Sequence, residues 1–130
     1  MILPMNENEI ARIVVDVAFW IHKKLGPGLF ESVYETVMEY ELVKINGLFV
    51  RRQVSVPVIW KEVKLEPGFR ADFIIENKVV VELKAIEGLA PVHFKQMITY
   101  LRLTNLKLGL LINFDENLIK NGIRRVVNGL

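Results

Sequence analysis

The apolar run Val79-Val80-Val81 ends in Glu82-Leu83-Lys84, ten positions after Asp72. Successive side chains of a strand point to opposite faces, so Glu82 and Lys84 share one face while Val81 and Leu83 share the other. An unpaired buried charge is expensive, and packing alone gives a buried strand no reason to set two charges side by side. Two readings follow. Either the segment is a solvent-facing edge strand carrying an ordinary salt bridge, or it forms half of an acid–lysine active site.

Periodicity organises the rest of the chain. Ile10, Ile13, Val14, Val17, Ile21 and Leu25 recur at helical spacing behind Asn6 or Asn8 as the cap. Gly26-Pro27-Gly28 stops that helix. Phe30, Tyr34, Val37, Met38, Leu42 and Ile45 mark a second helix, ended by Asn46-Gly47. From Phe49 the period changes to two, through Val50, Arg52, Val54, Val56 and Val58, with Pro57 indicating an edge. Lys61-Glu62 predicts a turn before a short segment from Val63 to Leu65. Phe69 to Ile75 and Val79 to Ala85 then read as the arms of a hairpin around Asn77-Lys78. Pro91 opens a third helix bearing Phe94, Met97, Ile98 and Leu101. Leu108 to Ile112 is wholly apolar, as suits a buried strand after a crossover, and Ile123 to Val127 is expected as a last edge strand. No repeat or linker interrupts this order, so residues 1–130 are expected to form one domain of mixed α/β class.

The 130 residues suffice for one hydrophobic core. Hydrophobic residues make up 52%, an excess that also suits a contact between subunits of a homo-oligomer. A net charge of +2 excludes a protein that coats nucleic acid through its global field, so any such contact rests on a local patch. Cysteine is absent, which removes disulfides and thiolate metal sites and agrees with a reducing cytoplasm. Met1 to Met5 lack the pattern of a signal peptide, and no apolar stretch approaches the ~20 residues that span a bilayer, so no membrane role is expected.

The polar residues then fall into a constellation. Glu31 starts the second helix, Asp72 lies in the first hairpin arm, and Glu82 and Lys84 lie in the second. Gln96 and Tyr100 are four apart and project from one face of the third helix. Magnesium takes several hard oxygen ligands and keeps some water, so Asp72 and Glu82 suit it, with Glu31 a third carboxylate. Lys84 would steady the attacking water or the charge growing on a phosphate. Hairpin geometry tests this arrangement. Directly opposed residues of an antiparallel pair share a face. A two-residue turn at Asn77-Lys78 sets Asp72 opposite Leu83, on the wrong face. A three-residue loop from Glu76 to Lys78 sets it opposite Glu82, so a metal site predicts an odd-numbered loop or a bulge.

At this point a resemblance becomes specific. Gly28-Leu29-Phe30-Glu31-Ser32-Val33-Tyr34 resembles the signature of the bacterial GxxExxY proteins, a branch of the PD-(D/E)XK nuclease superfamily. The similarity continues through Phe69-Arg70-Ala71-Asp72, Val81-Glu82-Leu83-Lys84-Ala85, Pro91-Val92-His93, Gly109 to Phe114 and Gly122 to Arg125, about residues 8 to 128. Gln96 and Tyr100 resemble the Q-x-x-x-Y element of exonuclease-like members. Ala71 stands where the superfamily's name has proline. The resemblance implies a restriction-endonuclease-like core, a central mixed four-stranded sheet flanked by helices. It implies a metal held by Asp72 and Glu82, Lys84 as the catalytic lysine, and Glu31 and Gln96 as helix-borne helpers.

Each residue also has a plainer reading. Glu31 suits a helix N-terminus whatever its function. Tyr34 falls on the apolar stripe and is expected to pack. His22 and His93 have no second ligand at metal spacing and read as structural. Arg51-Arg52 and Arg124-Arg125 read as solvated pairs, while Lys95, Arg102 and Lys107 would line a DNA path. Phe19, Trp20 and Trp60 read as core or interface. The leading expectation is a nuclease that hydrolyses DNA with Mg²⁺, or Mn²⁺ as substitute. The alternative is a non-catalytic module of the same fold that binds nucleic acid or a partner protein.

Overall fold

The computed structural model describes residues 4–130. Helix α1 (Glu7–Leu25) starts at Asn6, whose side chain accepts the Glu9 N–H at 2.9 Å while the Glu9 carboxylate accepts the Asn6 N–H. This reciprocal cap satisfies two donors that the first helical turn leaves open. Helix α2 (Glu31–Tyr40) continues into a π-helical turn, Glu41–Ile45, before the chain reverses at Asn46-Gly47. The strands are β1 (Val50–Trp60), β2 (Val63–Ile75), β3 (Val79–Lys84), β4 (Leu108–Asn113) and β5 (Ile123–Val127), with α3 (Pro91–Thr104) between β3 and β4.

They form one mixed sheet in the order β1-β2-β3-β4-β5, antiparallel except that β3 and β4 run parallel. Parallel neighbours need a crossover, and α3 supplies it. The sheet has five strands where the resemblance implied four, because β5 pairs with β4 along its full length. The segment from Val63 and the arm from Phe69 are not separate strands. They are one strand, β2, because the ladder with β1 resumes past a register shift at Pro57. Gly68 sits opposite that shift, where a Cβ would lie 2.6 Å from a Val58 methyl and 2.8 Å from its backbone nitrogen.

Helices α1 and α2 cover one face of the sheet, over Phe73, Ile75, Val81, Leu83, Leu110 and Ile112. Helix α3 covers the other, through Met97 and Leu101 on Ala71, Ile74, Val80 and Leu111. β3 is therefore the central strand, covered on both faces and paired on both edges. The reading of Glu82 and Lys84 as a salt bridge on an exposed edge strand falls with that placement. Glu82 is only 5% exposed. Of the two places expected for Phe19, Trp20 and Trp60, the core is excluded: all three are exposed on the surface of the single chain.

Candidate active site

The β2–β3 hairpin pairs Ile75 with Val79, Ile74 with Val80 and Phe73 with Val81. Its loop is therefore Glu76 to Lys78, the odd-numbered loop that a shared ion requires, with Glu76 and Asn77 in the left-handed conformation. Continued by one step, the register sets Asp72 opposite Glu82.

At that step the ladder stops and side chains take over. The Asp72 N–H donates to Glu82 Oε1 at 2.9 Å, and the Leu83 N–H donates to Asp72 Oδ2 at 2.9 Å. Each carboxylate thus fills an acceptor position that a strand carbonyl would otherwise hold. Across the sheet, β1 is also disturbed. Gln53 lies opposite Asp72 with φ +52°, and its amide donates to Asp72 Oδ1 at 3.2 Å. Phe73 faces the α1–α2 side whereas Ala71, two residues away, faces α3. Residues two apart in a regular strand share a face, so the pleat inverts at the Gln53–Asp72 step. This inversion, flanked by the end of β2–β3 pairing, opens the sheet around the acids.

Helix α2 brings two more carboxylates. Its start is held by Tyr34, fully buried and stacked on Phe114 at 4.4 Å. The Tyr34 hydroxyl donates to the Gly26 carbonyl at 2.5 Å and accepts the Leu29 N–H at 3.2 Å. Packing is thus its role, as expected, and its hydroxyl also anchors the loop that leads into Glu31. Glu31 is half-buried, close enough to Asp72 and Lys84 to feel both charges. Glu35, one turn later, was not singled out in the sequence. It is buried, accepts bonds from Arg52 Nε at 2.9 Å and from the Gln53 amide, and repels Asp72. The four-residue spacing of Glu31 and Glu35 was the available signal, since it puts both on one helical face. Arg52 also reaches Glu39 and Thr36, so the expectation of a solvated arginine pair fails for this residue. Gln53 left no such signal, because its position depends on the inverted pleat.

The electrostatics follow from burial. Burial raises the Glu82 pKa to about 8, with repulsion from Asp72 next and the Lys84 charge opposing both. Asp72 is also raised, first by burial and then against the bond from Leu83, with Glu35 adding repulsion. Glu31 is raised by burial and by Asp72. Lys84 makes no direct ion pair among the described residues and stands free to act on a ligand. The backbone beyond it is fixed by buried Asn113, whose amide bonds both polar groups of the Ile86 backbone.

Helix α3 contributes unequally. Burial, then the charges of Glu82 and Asp72, raise the Tyr100 pKa to about 12, so this phenol stays neutral and keeps a proton that a ligand could accept. Gln96 is exposed one turn earlier and makes no hydrogen bond to the acids; it lines a groove beside Tyr100 and Phe69. His93 Nδ1 accepts the Ala90 N–H at 2.8 Å, and His22 Nε2 bonds the Glu116 carbonyl, so both histidines serve the fold.

The donor set fits a hard divalent cation that keeps part of its water. Asp72 and Glu82 present adjacent carboxyl groups whose pKa values are raised, first by burial and then by repulsion from neighbouring carboxylates, and Lys84 is the cation that offsets them. Glu82 uses Oε1 for the backbone, and no buried polar side-chain atom among the described residues lacks a partner, so Oε2 remains open to solvent or an ion. No three acidic or histidine side chains among the described residues close into a full protein cage. Magnesium commonly binds through one or two carboxylates with water completing its shell. No helix among the described residues is long and apolar enough to cross a membrane. Residues 8–126 match the family model described as the PD-(D/E)XK nuclease superfamily. Neither the comparison with curated proteins nor that with solved structures found a match.

Proposed function

The chain belongs to the PD-(D/E)XK nuclease superfamily, and from that premise we propose that it hydrolyses phosphodiester bonds in DNA with the help of Mg²⁺. The observation that carries this reading is the three-residue hairpin loop, which sets Asp72 opposite Glu82 with Lys84 two residues beyond. In this reading Asp72 and Glu82 would hold the ion, and Glu31, which feels the charges of Asp72 and Lys84, would orient water beside them. When bound, the cation supplies positive charge that polarises the phosphate and makes the attacking water more acidic. Lys84 stabilises the charge that develops on the phosphate oxygens. Tyr100, held neutral, donates a hydrogen bond toward the carboxylates or the phosphate. Gln96 contacts substrate in the groove rather than the ion. The segment Gly28 to Tyr34 supports placing the chain in the GxxExxY branch of that superfamily.

The test is a cleavage assay on single-stranded, duplex and branched DNA with Mg²⁺ or Mn²⁺. Cleavage of some form is expected, with loss of roughly a hundredfold or more in Lys84→Ala, the scale of removing one transition-state donor. DNA that stays intact in every form overturns the reading.

A further inference from the structure

Helix α3 and the β1–β2 hairpin enclose a groove of about 350 Å³ on the α3 face. Its apolar walls are Val58, Phe69, Val92 and Leu103, with Lys95 and Gln96 along the rim. Tyr100 forms its inner end, its ring stacked on Phe69 with centroids 3.8 Å apart and planes within 5°. Tyr100 and Phe69 pack in one cluster with Ala71, the neighbour of Asp72, and Val80, two residues before Glu82, so the inner end of the groove lies near the acids. Outward, the same floor continues along the hairpin. Val58 pairs with Leu65 and Trp60 with Val63, and opposed residues share a face. Trp60 is 66% exposed, and Val63 and Leu65 are half exposed. Lys61 in the turn lies over the Trp60 ring at 5.7 Å.

We propose that this strip, from Trp60 to Tyr100, is the track for a single-stranded nucleic acid whose bases stack on it as the backbone enters the acid cluster. The inference rests on the nuclease reading and adds the form of the substrate. Three observations favour this occupant, two of them over a protein and the third over a duplex. The strip ends near the acids, so what fills it lies beside the proposed reacting centre. It carries three aromatic side chains, Trp60, Phe69 and Tyr100, with Lys61 and Lys95 beside it for phosphates, the combination that holds unpaired bases without sequence preference. The chain's small net charge gives little of the broad field that holds a duplex by its backbones. Bases in a duplex have their faces covered by their neighbours, so a duplex leaves the strip bare.

The test uses the full chain carrying Trp20→Phe, which leaves Trp60 as its remaining tryptophan. Binding is measured in EDTA, so that nothing is cleaved. A single-stranded oligonucleotide, as DNA and as RNA, is titrated against tryptophan fluorescence, with the same sequence as a duplex in parallel. Saturable quenching by the single strand is expected, with the duplex bound at least roughly tenfold more weakly. Trp60→Ala, at an exposed position that the fold does not need, should weaken single-strand binding by roughly five- to a hundredfold in an anisotropy titration. Unchanged affinity in Trp60→Ala overturns the proposal, as does a duplex that binds equally well. Sedimentation without oligonucleotide examines the other occupant: a dimer that Trp60→Ala dissociates makes the strip an interface between copies and also overturns it. The two readings fail separately. Single strands that bind through Trp60 while DNA of every form stays uncut with Mg²⁺ sink the nuclease reading and leave the binding track standing. Lys84-dependent cleavage in which Trp60→Ala cuts single strands at the parent's rate sinks this one alone.

Discussion

Glu82→Gln should make the metal-free protein more stable at pH 8 and leave it unchanged near pH 4. Burial and Asp72 hold the Glu82 carboxyl at about 8, against 4.5 for an unperturbed glutamate. At pH 4 the group is mostly protonated, folded or unfolded, and contributes little slope. Between 4.5 and 8 the folded protein keeps a proton that the unfolded chain has released, so stability falls as pH rises, and the loss is complete above 8. A difference of that size corresponds to at most ~5 kcal/mol. Glutamine cannot ionise, yet its carbonyl can still accept the Asp72 N–H that Glu82 Oε1 now accepts. Asp72 and Glu31 are raised in the parent as well and persist in the variant, so the difference between the two isolates residue 82. Urea unfolding in EDTA, followed by circular dichroism across this pH range, reads the effect. Mg²⁺ at pH 8 should restore much of the parent's deficit and do little for the variant. Parallel stability–pH curves for the two proteins would refute the reasoning, because they would mean that Glu82 ionises in the fold as it does in water.

Tyr34→Phe removes the hydroxyl that ties Gly26 to Leu29. It should cost about 1–3 kcal/mol in a thermal melt and lower cleavage, since Glu31 follows that loop. Arg52→Ala leaves Glu35 buried without its guanidinium. The arginine is partly exposed, so a loss of about 1–3 kcal/mol is expected, smaller than for a fully buried pair. Gly109→Ala would place a Cβ 2.3 Å from the Met97 sulfur. It should cost about 1–3 kcal/mol in urea, with Met97→Ala in the same chain recovering part of it.

Which parts of this structure were legible from sequence follows from how far each feature reaches along the chain. Cap, turn and apolar stripe are local, so α1, α3, β4 and β5 lie where Asn6, Pro91, Leu108 and Ile123 announce them. The long β1–β2 hairpin was less legible. Its register shift at Pro57 and Gly68 broke the period, and β2 read as two segments. The π-helical turn at Glu41–Ile45 is likewise a backbone adjustment that apolar spacing does not record. The exposure of Trp60 is illegible for a third reason. Composition favours burying a tryptophan, and only the tertiary structure shows that the hairpin runs out beyond the helices.

For the site, the legible part was a conditional statement. The acids share a face if the loop has an odd number of residues, and the loop has three. The residues that were missed, Glu35 and Gln53, act through other chain segments. Gln53 bridges Glu35 to Asp72 from a left-handed backbone position that alternation along β1 would never assign. Such a conformation is unfavourable for a residue with a side chain, and so is burying two carboxylates with raised pKa on neighbouring strands, Asp72 on β2 and Glu82 on the central β3. A sheet selected for stability alone would place a valine at each of these positions, as it does at Val79, Val80 and Val81. The costs instead converge on one step of the sheet, where the pleat inverts, the ladder ends and Lys84 is left unpaired. That convergence is the physical argument that the step is a site.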